Sequence, residues 1–124
     1  MALDGAFLSL LRDEIERGVL DARIDKIYQP SKEEIILLLR GREGVRRLLL
    51  SANASGARVH FTNETVENPK TPPMFCMLLR KHLGSGRLVA VRQQGMDRIL
   101  FLDFETYNEF GDRVIISLAL EIMG

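Results

Sequence analysis

The stretch RLVAVRQQGMDRILFLDFETYNEFGDRVIISLALEIM, residues 87–123, decides the fold class of this 124-residue chain. One face of its last run is wholly apolar: Val114, Ile116, Leu118, Leu120 and Ile122. Glycine-containing turns divide the stretch into three runs, a pattern typical of antiparallel strands joined by short connections. We therefore predict a meander of strands at 88–94, 98–106 and 112–122.

Two earlier segments have the spacing of amphipathic helices. The first covers residues 2–17, and Gly18 is expected to end it. The second covers residues 73–83, with Thr71 as its expected N-cap and the Gly84-Ser85-Gly86 run as its end. Four apolar side chains of the second helix are expected to face a core: Met74, Phe75, Leu78 and Leu79.

The remaining segments favour strands. Extended runs cover residues 22–29, 33–40, 45–52 and 57–62, and a turn at Gly41–Gly44 makes a hairpin of the second and third. One helix, four strands, one helix and three strands predict an α+β domain. The expected architecture is one sheet or, as the more specific prediction, an antiparallel β-sandwich flanked by two helices. A single domain is expected over residues 1–124, in a natural chain that continues beyond it.

Composition limits the function classes. The chain is 46% hydrophobic and 27% charged, and no apolar run has the length of a membrane span. Its single cysteine, Cys76, excludes an internal disulfide, which favours a cytoplasmic protein and a buried structural thiol. The sequence contains no GxxxxGK[ST], HExxH or CxxC motif, so no cofactor or metal is expected.

The charges are balanced overall but not locally. Seventeen basic residues cancel seventeen acidic ones, yet six basic residues and one acid between Lys70 and Arg98 give 6 − 1 = +5. Such an excess is a weak indication of nucleic-acid binding, and a solvated face of unrelated charges is the more ordinary explanation. The candidate RNA-backbone contacts are Lys70, Arg80, Lys81 and Arg92. For Arg80 and Lys81, favourable placement at a helix C-terminus is an alternative explanation.

Asp97 and Arg98 place an acid beside a base just before a predicted strand. They can be an ordinary solvated turn. They can also be a recognition pair, because a guanidinium offers a planar fork of donors and a face that stacks on unstacked RNA bases. A neighbouring carboxylate would hold that fork in one rotamer. The residues by themselves leave both interpretations open.

Several strings, taken together, resemble a known family. They are DGAFL, RIDKIYQPSKEEIILLLRG, SANASGARVHFT, NPKTPPMFCMLLRKHLGSGRL, GMDRIL and LEIMG. In this order and spacing the chain resembles the NFACT N-terminal domain of the FbpA/RqcH (NEMF-like) ribosome quality-control family, and most closely its bacterial RqcH members. The likeness covers essentially the whole chain.

The resemblance implies a fold similar to the N-terminal domain of formamidopyrimidine-DNA glycosylases. In those enzymes an amino-terminal proline is the nucleophile and a glutamate follows it. Here Ala2 and Leu3 follow Met1, so the resemblance implies a domain that is not an enzyme.

The resemblance also implies a function. Such a module binds tRNA and the large ribosomal subunit that still holds peptidyl-tRNA, and it recruits alanyl-tRNA for C-terminal alanine tailing of stalled chains. The implied tRNA-binding residues are Asp97, Arg98, Glu121, Ile122 and Met123; for Glu121 the alternative is a plain strand carboxylate. Two other functions stay open: a fibronectin-binding surface adhesin and a glycosylase-like domain that binds nucleic acid.

Overall fold

The computed structural model describes residues 5–52, 58–93 and 99–121, which form two helices and seven strands. In chain order these are α1 (Gly5–Val19), β1 (Arg23–Ser31), β2 (Glu34–Gly41), β3 (Gly44–Ser51), β4 (Arg58–Phe61), α2 (Met74–Leu83), β5 (Arg87–Gln93), β6 (Ile99–Tyr107) and β7 (Arg113–Glu121). The predicted order of elements and the α+β class are confirmed. Within these ranges, neither helix is long and apolar enough to cross a membrane.

All seven strands belong to one antiparallel sheet in the order β4-β3-β2-β1-β5-β6-β7. The predicted hairpin of β2 and β3 is confirmed, with Gly41 opposite Gly44. Within the described ranges, β1 and β5 share one Cα pair, Arg23 with Arg87. What the sequence predicts as a sandwich is therefore two antiparallel halves, β1–β4 and the β5–β7 meander, joined through a narrow junction into one hydrogen-bonded sheet.

The junction is made by the turns that precede β1 and β5. Its backbone hydrogen bonds run from Asp21 N to Leu88 O (2.8 Å), from Leu88 N to Ala22 O (2.9 Å) and from Ile24 N to Gly86 O (2.9 Å). Asp21 and Ser85 adopt positive φ angles of 69° and 63°, which cost non-glycine residues roughly 1–2 kcal/mol each. Side chains support both turns, because Arg87 donates to Asp21 (2.6 Å) and Arg23 donates to the Ser85 carbonyl (3.2 Å).

The core lies against one face of the meander. On β6, Leu100, Leu102 and Phe104 are buried, and their partners on β7 are Leu120, Leu118 and Ile116. The β7 residues pack against the core while their chain neighbours are exposed. The predicted alternation of β7 is confirmed over Val114–Leu120, and Ile122 lies outside the described residues.

Helix α2 faces the core with a different side from the one predicted. Cys76, Leu79 and Leu83 are buried, because residues three and four apart share one face of a helix. Met74, Phe75 and Leu78 lie on the other side and are exposed, by 47% or more. The expected burial of Leu79 and Cys76 is confirmed, and that of the other three is wrong.

Two helix ends also differ from the predictions. The first residue of α2 is Met74, and its N-cap is Pro73, which has an extended ψ of 156° and makes no side-chain capping bond. Pro73 disfavours helical backbone at Pro72, so the helix does not begin directly after Thr71, and Thr71 is not its cap. Helix α2 ends at the expected Gly84.

Gly18 does not end α1, which continues to Val19. A Cβ at Gly18 would lie 2.6 Å from Arg46 Nη1 and 3.0 Å from the Phe61 ring. The Arg46 guanidinium stacks on that ring, 3.6 Å from its centroid. The glycine is therefore explained by close packing of the helix against this pair.

Helix α2 is tied to β1 through the backbone carbonyl of Ile27. Arg80 donates to this oxygen from Nε (2.9 Å) and Nη2 (2.7 Å), and the buried Cys76 thiol lies 3.6 Å from it. On this side of β1, pairing with β5 is confined to Arg23 among the described residues, so no described strand reaches Ile27 there. The helix thus supplies the donors that a neighbouring strand would otherwise give.

We predict that Arg80→Ala lowers the free energy of unfolding by about 1–2 kcal/mol, because the Ile27 carbonyl loses two charge-assisted donors. Urea unfolding measures the change. Lys81→Ala is the matched control: its side chain is exposed and makes no bond within the described residues, so it should change stability by less than about 0.5 kcal/mol. Equal effects of the two substitutions would contradict the role of Arg80.

Candidate nucleic-acid interface

The two predicted tRNA-binding motifs border one strand pair. Asp97, Arg98, Ile122 and Met123 lie outside the described residues, but the positions next to them do not. Ile99, which follows Arg98, is the Cα partner of Glu121, which opens the second motif. Glu121 is exposed at the end of β7. The register thus brings the chain positions adjoining the two motifs to the same end of the meander.

Glu121 belongs to the face of the meander opposite the core, here called the outer meander face. Because side chains alternate along a strand, this face carries Arg92 from β5, Ile99, Phe101, Asp103 and Glu105 from β6, and Ile115, Ser117, Ala119 and Glu121 from β7. It is mixed in character, unlike the apolar core face. Its polar residues lie at the middle of the sheet, at the β6–β7 turn end, where Glu105 contacts Arg87 and Arg113, and at the other end, where Glu121 is.

A three-strand polar network occupies the centre of the outer meander face. Arg92 donates to both oxygens of Asp103, from Nε at 2.5 Å and from Nη2 at 3.0 Å. Ser117 donates its hydroxyl to Asp103 Oδ1 at 2.6 Å. The Arg92 guanidinium also lies 4.7 Å from the centroid of the Phe101 ring. One carboxylate therefore links β5, β6 and β7.

The hydrogen bonds of the network favour the charged forms of Asp103 and Arg92. The hydrogen bond from Arg92 lowers the pKa of Asp103; burial opposes this shift, and the Ser117 hydroxyl adds to it. The same hydrogen bond raises the pKa of Arg92. The Asp103 side chain is 10% exposed while that of Arg92 is 52% exposed. The pair thus keeps its anion inside the network and leaves half of the cation open to solvent.

The four candidate RNA-backbone contacts divide into two kinds. Arg80 and Arg92 donate hydrogen bonds within the domain, to the Ile27 carbonyl and to Asp103 respectively. Lys70 and Lys81 are exposed and have no partner among the described residues. The lysines are thus available to a phosphate without breaking an internal contact.

Other chemistry has no support in the described part of the chain. No group of three or more His, Cys, Asp and Glu side chains there could hold a metal ion. His60 is exposed on β4, with Nδ1 3.0 Å from the Phe61 carbonyl. Cys76 is a buried thiol, as predicted.

Sequence reasoning did not assign Asp103 or Ser117 to the site. Their contact depends on strand register, which pairs Asp103 with Ser117 directly and places Arg92 diagonally across the neighbouring strand. The sequence feature that points to them is that both are polar residues within strands that are otherwise largely apolar. A register built outward from the two meander turns would have brought the three residues together.

Comparison with known proteins identifies the family. The family model described as NFACT N-terminal and middle domains matches residues 4–124. The chain belongs to this family, as its sequence strings predict.

Curated relatives include ribosome quality-control proteins. The chain is 43% identical over 124 residues to the Rqc2 homolog RqcH of Bacillus subtilis (strain 168), covering all of this chain and 22% of that protein. It is 32% identical over 105 residues to the human ribosome quality control complex subunit NEMF, covering 85% of this chain and 9% of that protein. The chain therefore spans about a fifth of the length of its RqcH relative.

Solved structures have the same fold. The N-terminal domain of the fibronectin-binding protein PavA from Streptococcus pneumoniae matches with a TM-score of 0.91 and 38% identity, over 98% of this chain and 46% of that one. The N-terminal part of the fibronectin/fibrinogen-binding protein from Streptococcus suis matches with a TM-score of 0.93 and 38% identity, over 99% and 46%.

We predict that Asp103→Asn destabilises the domain at pH 7 by about 1–2 kcal/mol, because Arg92 and Ser117 lose an ionised acceptor. The pKa of Asp103 is lower in the folded state, so its contribution is present above its unfolded pKa of about 3.9 and is lost as the pH falls through the folded value. The difference in the free energy of unfolding between wild type and variant should therefore become smaller below about pH 4. Urea unfolding at pH 7 and pH 3 measures this difference.

The control for this experiment is Glu109→Gln, which changes an exposed carboxylate that has no ion pair within the described residues. Its stability should match wild type at both pH values. If the loss of stability in Asp103→Asn is the same at both pH values, the ionised Asp103 carboxylate is not the stabilising group.

Proposed function

We propose that this domain is a non-catalytic module of a ribosome quality-control factor, and that it binds tRNA and the large ribosomal subunit that holds peptidyl-tRNA. In this proposal it recruits alanyl-tRNA for C-terminal alanine tailing of stalled chains, works in the cytoplasm and needs no cofactor. One observation carries it: the pairing of Ile99 with Glu121 joins the borders of both predicted motifs in a member of the NFACT family.

Each proposed site residue has a role that follows from its chemistry. Arg98 supplies a planar donor fork and a stacking face for a base of an RNA loop, and Asp97 restrains that fork. The Glu121 carboxylate accepts from base amino groups, with Ile122 and Met123 giving apolar contact. Base-edge contacts of this kind select a nucleic acid, whereas phosphate contacts only position it.

The polar network of the outer meander face supports the proposed site. The Asp103 network links the three strands whose ends bear the motifs, so it limits the relative movement of those ends. The half-exposed Arg92 and the exposed Lys70 and Lys81 are the proposed contacts to RNA phosphates. Arg80 belongs to the same group of proposed contacts, although its bonds to Ile27 leave it fewer donors to offer.

We predict that Arg98→Ala and Asp97→Ala, made in the intact protein, abolish alanine tailing without unfolding the domain. Loss of a stacked or bidentate arginine costs about 1–3 kcal/mol, or roughly ten- to a hundredfold in tRNA affinity. Binding to the large subunit should largely survive, because other contacts contribute most of that affinity. Retention of tRNA on isolated subunits, tailing and thermal unfolding are measured side by side.

Arg42→Ala is the matched control for these two variants, since Arg42 is an exposed arginine in the β2–β3 turn, far along the sheet from the meander. It should tail normally. Normal tailing by Arg98→Ala, or its failure together with a large loss of thermal stability, would reduce Asp97 and Arg98 to an ordinary turn.

We also predict that the domain has no glycosylase or lyase activity, because Ala2 and Leu3 stand where such enzymes have their nucleophile and acidic residue. Borohydride trapping on DNA with an abasic site measures this, with a formamidopyrimidine-DNA glycosylase as positive control. A covalent adduct of this chain would disprove the non-catalytic proposal.

Binding to fibronectin is a second candidate function, favoured by the names of the solved structures that share this fold. It is separable from the first. The adhesin would be favoured if the wild-type protein and Arg98→Ala bind immobilised fibronectin equally well and neither binds large subunits. Binding to large subunits by both proteins, with tRNA retention that is lost in Arg98→Ala, would favour the quality-control module.

A further inference from the structure

The turn between β6 and β7 presents an aromatic side chain to solvent. Phe110 is 86% exposed, the highest value among the large apolar side chains that the structure describes, and Tyr107 beside it is 66% exposed. Aromatic residues are enriched at the centres of protein interfaces, where they carry a large share of the binding energy. A phenylalanine at the tip of a hairpin has no role in the core of this domain.

This turn is ordered by its own hydrogen bonds. The Asn108 side-chain oxygen accepts from the backbone N–H groups of Phe110 and Asp112, both at 2.9 Å. Asn108 N donates to the Asp112 carbonyl at 3.0 Å, and Gly111 N donates to the Asn108 carbonyl at 3.1 Å. Gly111 has a φ of 81°, which suits glycine. Phe110 is therefore held on a preorganised loop, which lowers the entropy cost of using it as an anchor.

The charges around Phe110 are negative. Glu109 and Asp112 flank it, are exposed and have no ion pair within the described residues. The nearest cation in sequence, Arg113, lies 3.4 Å from Glu105 on the outer meander face. An RNA backbone would be repelled by these two carboxylates, whereas a basic protein surface would be attracted. Charge complementarity therefore selects a protein as the partner of this tip.

We infer that the Asn108–Asp112 hairpin inserts Phe110 into an apolar pocket with a basic rim on a protein of the large ribosomal subunit. The inference rests on the proposed function for the identity of the assembly. Eight strand residues separate this tip from the Ile99–Glu121 pair, a distance of about 26 Å. The meander thereby contacts tRNA at one end and a basic protein at the other.

The test uses the intact protein and purified large ribosomal subunits. Phe110→Ala should weaken subunit binding about tenfold and leave thermal stability unchanged, while Phe110→Trp retains binding. Glu109→Lys combined with Asp112→Lys should also weaken it. Ile115→Ala is the control, since Ile115 is an exposed apolar residue of the same strand pair, and it should bind like wild type.

A photo-crosslinking phenylalanine analogue at position 110 then reports the chemistry of the partner. A crosslink that resists ribonuclease and is lost on proteolysis supports the inference; the same analogue at Glu43, in the β2–β3 turn, is the control. Crosslinking to rRNA, tighter binding after the double charge reversal, or normal binding by Phe110→Ala would overturn it. If the wild-type protein binds neither subunits nor tRNA, the proposed function itself fails and the inference falls with it.

Discussion

The narrow backbone junction between β1 and β5 is the constraint on which the rest of the domain depends. Three hydrogen bonds and the Arg23–Arg87 pair join two antiparallel halves that are each made of consecutive strands. Beyond this point no described strand pairs with this edge of β1, and α2 covers it by directing Arg80 and Cys76 at the Ile27 carbonyl. The position of the second helix is therefore a consequence of where strand pairing stops.

The junction also determines what the meander can do. Its core face is not available for binding, because Leu100, Leu102 and Phe104 are buried there together with residues of α2 and of strands β1–β4. The outer meander face is left for polar chemistry, and Asp103 uses it to bind Arg92 and Ser117 on both neighbouring strands. Strand ends linked in this way form a stiffer base for recognition than a flexible loop would.

Much of this could be predicted from local sequence, and the failures share one cause. The order of elements and the alternation of β7 follow from periodicities of 3.6 and 2 residues, which need no knowledge of distant contacts. The side of α2 that is buried does not follow, because Met74, Phe75 and Leu78 are as apolar as the residues that reach the core. The prediction that Gly18 ends α1 fails for the same cause. A glycine is needed there because the Arg46–Phe61 stack packs against the helix, and these residues are far from Gly18 in the chain.

The charge excess of residues 70–98 shows the same limit and narrows the functional argument. Counted along the sequence it is +5, but Arg87 is paired with Asp21 and Glu105, Arg92 with Asp103, and Arg80 with the Ile27 carbonyl. Within the described residues the uncommitted lysines of that stretch are few and dispersed. A broad basic surface, which binds RNA without regard to sequence, is thus a poor description of this domain. In the proposed function, most of the discrimination between RNAs therefore has to come from a small set of groups, and the predicted ones adjoin the paired residues Ile99 and Glu121 in the chain.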